Sequence, residues 1–202
     1  MPDNSRSDTR ELKARIRKEI RETRTALLAE GGYFDMAGKL ITQHILRCQE
    51  YAAARSVFIY VSMEGEPDTY GLINTALRDL KAVFVPKCVS KETMLAVRIY
   101  SLDELTPGMM NIPEPALLET SITASCSDLD LAVVPCVSVS GDRIRLGHGA
   151  GFYDRFLSAK KDGPDNRPVT LCTCFEKLMR DDIPAGPFDI PMDLIATENG
   201  IF

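Results

Sequence analysis

The sequence predicts an α/β fold, a three-layer α/β/α arrangement with a mainly parallel central sheet. Three observations indicate this: short apolar runs typical of buried strands, helical patterns between them, and a length of 202 residues, 45% hydrophobic, that suits one substantial core. A strand, a helix and a second strand in succession favour a parallel pair with a right-handed crossover. We therefore expect a single domain over residues 1–202, without internal repeats or an interdomain linker.

The first quarter of the chain is predicted to be helical. In residues 9–30 apolar side chains recur at spacings of three and four, and Gly31-Gly32 ends the helix. A second helix is expected over residues 35–53. Basic side chains follow the first apolar stripe one position later, about 100° round the helix, and so flank its buried face. These are Lys13, Arg17, Arg21 and Arg24.

Strands are expected where apolar or alternating runs are bounded by turn residues. The predicted strands cover residues 57–61, 82–86, 94–100, 131–135 and 169–175. A helix ending near Leu80 lies between the first two, and another is expected from Tyr153 to Lys160. Residues 105–122, which are rich in proline and glycine, and residues 162–168 are predicted to be irregular.

Composition argues against several classes of protein. The formal net charge of −5 is unfavourable for bulk nucleic-acid binding, so an anionic ligand would need a local pocket. No run reaches the ~20 apolar residues of a membrane span, and acidic residues near the N-terminus argue against an organellar transit peptide. Six scattered cysteines indicate reduced thiols in a soluble, cytoplasmic protein, with Cys172 and Cys174 on one buried face of their strand.

The segment before the helix at Tyr153 is the strongest candidate for a binding site. Residues 145–155 read RLGHGAGFYDR and contain three glycines, two arginines and one carboxylate. Glycine permits positive φ and close approach of a ligand, and successive N–H groups favour an anion. The run is neither a Walker A loop nor a clean dinucleotide fingerprint, so a simple tight turn remains an alternative.

Three loops are expected to meet beyond the carboxyl ends of the strands: residues 62–68, those from Pro86 onward, and 138–154. Carboxylates would there approach Arg145 and His148, and several oxygens beside a phosphate cradle suit Mg2+. The carboxylates are Glu64, Glu66, Asp68 and Asp154.

Other polar residues have simpler interpretations. Capping of the following helix explains Asp68 equally well, and His44, inside the second helix, is expected to be structural. No pair of nucleophile and base stands out, so the sequence does not support covalent catalysis.

Motifs along nearly the whole chain occur in the order that one enzyme family shows. They are KARIR at 13–17, YVSMEGEPDT at 60–69, VPK at 85–87, IPEP at 112–115, the glycine loop at 145–155 and DIPMDLIATE at 189–198. On these motifs the chain resembles the 5-formyltetrahydrofolate cyclo-ligases, also called 5,10-methenyltetrahydrofolate synthetases.

The resemblance implies a fold related to sugar-phosphate isomerases and CoA transferases. It also implies a ring closure that depends on ATP as co-substrate and on Mg2+, with phosphorylation of the formyl oxygen. The products would be 5,10-methenyltetrahydrofolate, ADP and phosphate. The partners would then be reduced folate and ATP, with no nucleic acid and no membrane, and the protein would be a cytoplasmic monomer.

The resemblance further implies roles for single residues. Arg145 and Tyr153 would be catalytic, and Asp154 and Asp189 would hold Mg2+. ATP would contact Lys13, Arg17, Arg145, Leu146, Gly147, His148, Gly149, Ala150, Gly151, Phe152 and Tyr153. The folate would contact Tyr60, Val61, Glu66, His148, Gly149, Ala150, Gly151 and Phe152.

Four residues depart from the family pattern. His148 stands where Arg is common, Ala150 where Gly or Lys is frequent, Phe152 where Tyr is common, and Lys177 where Gln is frequent. A histidine is only partly charged near pH 7, so phosphate binding would be weaker or pH-dependent.

Two other functions stay open. One is a regulatory relative of the same fold that binds a nucleotide or phosphorylated metabolite without turnover. The other is an enzyme acting on a sugar phosphate or a CoA thioester, for which Glu114 is the candidate glutamate in the irregular segment.

Overall fold

A computed structural model describes residues 4–108, 111–158 and 167–202. Its helices are α1 (Asn4–Glu30), α2 (Tyr33–Arg47), α3 (Gln49–Ala53), α4 (Tyr70–Arg78) and α5 (Phe152–Ser158). Its strands are β1 (Ser56–Ile59), β2 (Ala82–Cys88), β3 (Met94–Ile99), β4 (Leu105–Pro107), β5 (Pro113–Pro115), β6 (Thr123–Ala124), β7 (Leu131–Val134), β8 (Ser138–Val139), β9 (Arg145–Leu146), β10 (Val169–Thr173), β11 (Leu194–Thr197) and β12 (Gly200–Ile201).

The main sheet has eight strands in the order β12-β11-β10-β7-β1-β2-β3-β6. The five strands from β11 to β2 are parallel, and β12, β3 and β6 are antiparallel to their neighbours. These parallel strands, flanked by helices, confirm the predicted α/β class with a mainly parallel sheet. Two short hairpins, β4 with β5 and β8 with β9, stand apart from this sheet.

The order of the strands reverses between β1 and β7. From β1 the chain passes through α4 to β2 on one side, and from β7 it passes through α5 to β10 on the other. Because such crossovers are almost always right-handed, α4 and α5 cover opposite faces of the sheet. In open α/β sheets a crevice for ligands forms at this reversal, beyond the carboxyl ends of the strands.

The core lies between the sheet and its helices. Strands β1 and β7 are buried almost throughout, as expected for strands covered on both faces. The apolar stripe of α1 packs onto this core through Ile16, Ile20 and Leu27. Cys172 and Cys174 are buried and all six cysteines are free thiols, as predicted. No helix within the described ranges is long and apolar enough to cross a membrane.

Several predicted boundaries were wrong. The first helix begins at Asn4 rather than residue 9, and the second predicted helix is two helices, α2 and α3. Cys48 separates them because its backbone is extended, while its Sγ accepts a hydrogen bond from Tyr51 N, 3.4 Å away. The stretch 105–122 is not wholly irregular, since β4 and β5 pair within it.

Other differences concern short strands. Arg145 and Leu146 belong to β9, which pairs with β8 across the predicted turn, and not to the glycine loop itself. The alternating or apolar pattern of β11 and β12 was too short to predict them. The end of the predicted helix at 159–160 and most of the predicted loop, 162–166, lie outside the described residues.

Candidate active site

A cavity of about 770 Å³ lies at the carboxyl end of the sheet, where the strand order reverses. Its lining comes from α1, from β2, β3 and the segment near β5, from the segments after β1 and β7, from the β9–α5 segment, and from residues 187–190. The cavity thus receives residues from both sides of the reversal. Every residue assigned by resemblance to ATP, folate or Mg2+ lines it.

The glycine loop between β9 and α5 forms one wall of the cavity. Gly149 and Gly151 have φ angles of 107° and 70°, a region that other residues rarely adopt. A Cβ atom on Gly147 would lie only 2.9 Å from Arg145 Nη1. The loop is therefore a tight turn, and its backbone borders the cavity.

Two basic residues of α1 reach the cavity from one face of the helix, because they are four residues apart. Lys13 Nζ forms an ion pair with Asp189 Oδ2. Arg17 Nε donates a 2.7 Å hydrogen bond to Gly147 O, so the helix is tied to the glycine loop. Burial lowers the pKa of Arg17, and the nearby charge of Asp189 opposes this effect.

Arg145 is buried beneath the glycine loop and holds Asp154. Its Nη2 donates to Asp154 Oδ1 at 2.7 Å and its Nη1 donates to Pro135 O at 3.3 Å. The Arg145 side chain is 3% exposed and that of Asp154 26%. Burial alone would lower the pKa of Arg145, but Asp154 and nearby thiols raise it overall. The guanidinium of Arg145 thus contacts Asp154, Pro135 O and, through a cation–π contact, the ring of Tyr153.

A contact between Glu66 and His148 joins the segment after β1 to the glycine loop. Glu66 Oε1 lies 3.1 Å from His148 Nε2, and Glu66 Oε2 accepts a 3.0 Å hydrogen bond from Met63 N. Glu66 is 3% exposed and His148 45%. Burial, reinforced by the charge of Glu66, raises the pKa of Tyr153, whose hydroxyl therefore stays protonated.

The expectation that Glu64 and Asp68 approach Arg145 and His148 was wrong. Both line a separate groove beside α2 and α4 instead. The chain turns at Gly65, where φ is 78°, and of the acidic residues Glu64, Glu66 and Asp68 it is Glu66 that lines the cavity. Asp68 Oδ1 lies 3.4 Å from Tyr70 N at the start of α4, which favours the capping interpretation.

Two further residues lie away from the cavity. His44 Nε2 is 3.2 Å from Glu198 O, which agrees with its structural interpretation. Lys177 Nζ lies 4.3 Å from the centre of the Tyr33 ring, outside the cavity lining. The departure of Lys177 from the family pattern therefore does not alter the wall of this cavity.

The segment from Pro86 onward was expected near the site, and Glu114 was the candidate glutamate of an alternative function. The resemblance assigned neither ATP, folate nor Mg2+ to the wall of the cavity that comes from β2, β3 and the segment near β5. Its residues are Pro86, Cys88, Met94, Ile112 and Glu114. The motifs VPK and IPEP were the available signal for this wall. Glu114 is buried and pairs with Lys87 Nζ at 3.1 Å. Burial and the charge of Glu114 raise the pKa of Cys88 to about 11, so its thiol is protonated at neutral pH.

The carboxylates Asp154 and Asp189 fit a metal that is bound together with phosphate. Each has one oxygen engaged, by Arg145 and by Lys13 respectively, and one without a hydrogen bond among the described residues. Over that part of the chain, no group of three or more His, Cys, Asp or Glu could hold a metal ion. Mg2+ commonly takes one or two carboxylates and completes its shell with substrate phosphates and water.

Comparison with known proteins gives a consistent result. The family model described as the 5-formyltetrahydrofolate cyclo-ligase family matches residues 9–198. The 5-formyltetrahydrofolate cyclo-ligase of Mus musculus is 26% identical over 196 residues, covering 91% of this chain and 92% of the relative. That of Escherichia coli (strain K12) is 29% identical over 188 residues, covering 91% and 98%. The NMR structure of Aquifex aeolicus 5,10-methenyltetrahydrofolate synthetase has a TM-score of 0.77 and 26% identity, and the match covers 94% of this chain and 91% of that one.

Proposed function

Because this chain belongs to the 5-formyltetrahydrofolate cyclo-ligase family, we propose that it uses ATP and Mg2+ to convert 5-formyltetrahydrofolate into 5,10-methenyltetrahydrofolate. The chain is an enzyme, and its class is that of the ligases. ADP and phosphate are the other products of the proposed reaction. The arrangement of charges in the cavity supports the use of a nucleotide and a metal ion.

Phosphorylation solves the chemical difficulty of this ring closure. The formyl oxygen is amide-like and leaves poorly, so it first takes the γ-phosphoryl group of ATP. The neighbouring amine nitrogen of the folate then attacks the formyl carbon and loses its proton. The carbon–oxygen bond breaks and phosphate departs with the formyl oxygen. Catalysis of such a transfer consists mainly of positioning and charge stabilisation.

The phosphates of ATP are proposed to lie between α1 and the glycine loop. Lys13 and Arg17 supply positive charge from α1, and the backbone N–H groups from Gly147 to Gly151 supply donors. Arg17 is held beside the loop by Gly147 O, so its charge is positioned before the nucleotide binds. Preorganised donors of this kind lower the cost of stabilising charge as it develops.

Mg2+ is proposed to bind at the free oxygens of Asp154 and Asp189. When bound, the ion would offset phosphate charge and polarise the phosphoryl group. Arg145 orients Asp154, and Lys13 with Gly186 N orients Asp189. In this proposal Arg145 acts on the reaction through Asp154, while Tyr153 provides a protonated hydroxyl in the same wall.

The folate is proposed to occupy the side of the cavity near β1. Tyr60, Val61 and Glu66 line that side, opposite loop residues 148–152. The hydroxyl of Tyr60 is occupied by Pro67 O at 2.7 Å and by Thr173, so this residue contributes its ring surface. Glu66 keeps a carboxylate at the cavity, where it can accept hydrogen bonds from N–H groups of the pterin.

One observation carries the proposal: two carboxylates, each oriented by a basic residue, face the same cavity as the glycine loop. The test is the absorbance of 5,10-methenyltetrahydrofolate formed from 5-formyltetrahydrofolate, measured with and without ATP and Mg2+. We expect product only when both are present. A protein that binds ATP but forms no ATP-dependent product would instead be the non-catalytic relative.

We also propose that the enzyme is a cytoplasmic monomer. Six free thiols support the cytoplasmic location. The mass in solution, measured by light scattering, should be near 22.4 kDa. A mass of about twice that value would contradict the monomer.

A further inference from the structure

One lysine and three arginine side chains line the cavity, and they differ in whether a carboxylate forms an ion pair with them. Lys13 pairs with Asp189, and Arg145 pairs with Asp154. Within the described ranges of the chain, Arg17 and Arg155 form no ion pair with a carboxylate. Two arginines of the cavity are therefore available to anionic ligands.

These two arginines lie at opposite ends of the glycine loop. Arg17 is bound to Gly147 O, and its Cζ lies 3.6 Å from the position that a Cβ on Gly149 would take. Arg155 Nη1 lies 2.8 Å from the corresponding Cβ position of Gly151. The Arg17 end adjoins Lys13 and Asp189, where the phosphates are proposed to lie. The Arg155 end lies in α5, beside the turn between β2 and β3.

Arg155 is held so that one edge of its guanidinium remains free. Its Nε donates a 2.8 Å hydrogen bond to Glu92 O in the turn between β2 and β3, and its Cζ lies 5.3 Å from the centre of the Phe152 ring. Neither Nη nitrogen has a hydrogen-bond partner in the part of the chain that the structure describes. The free edge has the two parallel donors that match a carboxylate.

The wall next to Arg155 is apolar. Cys88 and Met94, from the two strands that the Glu92 turn connects, line the cavity together with Phe152. The Cys88 thiol is uncharged because burial raises its pKa. Such a wall suits an aromatic ring, and the benzoyl ring of a folate is joined directly to a glutamate that carries two carboxylates.

We propose that Arg155 binds a carboxylate of the glutamate moiety of 5-formyltetrahydrofolate. This inference rests on the proposed function, because it takes the folate as the substrate. It adds a residue that recognises the end of the substrate remote from the reacting atoms. Arg155 contributes to affinity for the folate and does not take part in phosphoryl transfer.

The test compares Arg155→Gln with the wild-type enzyme on two substrates. One is 5-formyltetrahydrofolate, and the other is the primary amide of 5-formyltetrahydropteroate (called the pteroate below), which has the same rings and amide but no carboxylate. For the folate we expect KM to rise about tenfold, as for loss of one hydrogen-bonded charge pair. The kcat value and KM for ATP should remain unchanged. For the pteroate, KM should be the same in both proteins, because this substrate has no glutamate carboxylate for Arg155 to bind.

Two further variants separate the role of the guanidinium from general effects of charge. Arg155→Lys keeps the charge but not the two parallel donors, so we expect an intermediate KM for the folate. Arg47→Gln removes an arginine at the end of α2, outside the cavity, and should leave every constant unchanged. Thermal unfolding of each variant checks that the fold is kept.

An equal rise in KM for folate and pteroate would overturn the inference, as would an unchanged KM for the folate. A rise only in KM for ATP would assign Arg155 to the nucleotide and overturn it as well. Failure of the proposed function looks different, since the wild-type protein would then show no ATP-dependent product. In that case calorimetric binding of 5-formyltetrahydrofolate to wild type and Arg155→Gln still tests the contact directly, and equal affinities would contradict it.

Discussion

Replacement of Asp154 by asparagine is expected to weaken the fold as well as the reaction, because Asp154 neutralises a buried arginine. The Arg145 side chain is 3% exposed, and its Nη2 lies 2.7 Å from Asp154 Oδ1. Two unit charges about 4 Å apart attract by about 4 kcal/mol at an effective dielectric constant of about 20. Removal of one partner of a fully buried pair costs about 3–5 kcal/mol.

The expected loss for Asp154→Asn is smaller than that for a fully buried pair. Asp154 is 26% exposed, so water already screens part of the attraction, and the asparagine oxygen can still accept from Nη2. We therefore expect a fall of about 2 kcal/mol in the free energy of unfolding. Urea unfolding at pH 7 followed by circular dichroism measures this fall as a lower midpoint with an unchanged slope.

A double-mutant cycle with Arg145→Met separates the structural role of Asp154 from its proposed role at the metal. In the double variant neither charge of this pair remains. The summed losses in free energy of unfolding of the two single variants should therefore exceed the loss of the double variant by about 1–2 kcal/mol. Turnover should remain low in the double variant even though stability recovers, because the metal ligand is still missing. Additive losses would refute the energetic argument, and full turnover of Asp154→Asn at limiting Mg2+ would refute the metal role.

The remaining predictions concern three other contacts. His148→Arg places a permanent positive charge with several N–H donors beside Glu66 and the glycine loop, so KM for ATP should fall in steady-state assays. An unchanged KM for ATP would count against this. Burial alone would raise the pKa of Asp193, but hydrogen bonds from Thr170 and Arg167 lower it overall. The ionised carboxylate therefore stabilises the fold above the pKa of about 3.9 that aspartate has in the unfolded chain, and this stabilisation is lost as pH falls through the lower pKa of the folded state. Asp193→Asn should therefore lower the free energy of unfolding by about 1–2 kcal/mol at pH 7, and the difference from wild type should shrink below about pH 4; a constant difference would contradict the argument. Gly147→Ala should cost about 1–3 kcal/mol in urea unfolding, because its Cβ would lie 2.9 Å from the buried Arg145 Nη1, and a neutral effect would show that Arg145 can shift freely.

The sequence was sufficient for the fold class because burial on both faces of a sheet leaves a local signal. Continuous apolar runs predicted β1 and β7, and the helical period of residues 9–30 predicted the buried face of α1. Short strands that depend on their pairing partners escaped prediction. The short strands β11 and β12 and the hairpin β8–β9 are stabilised by pairing with other segments, so their own residues carry little pattern.

For the site, the ordered motifs were sufficient to indicate the family and to select the residues that line the cavity. The glycine loop, with its anion-binding pattern, was visible because positive φ and close approach require glycine at particular positions. Sequence spacing could not show that Gly65 turns Glu64 and Asp68 away while Glu66 meets His148. The directions of these three acidic side chains depend on the positive φ angle of Gly65, in the segment after β1.

The sequence by itself determined the α/β class, the family and the chemical types of the residues at the cavity, because these depend on local patterns and on motifs. Only the tertiary structure decided which charges are already neutralised. Arg145 and Lys13 each form an ion pair with a carboxylate from another part of the fold, whereas Arg17 and Arg155 form none within the described residues. The physical reason is that charge pairing depends on distances of a few ångströms between side chains brought together by folding, and these distances decide which arginine is free for a substrate.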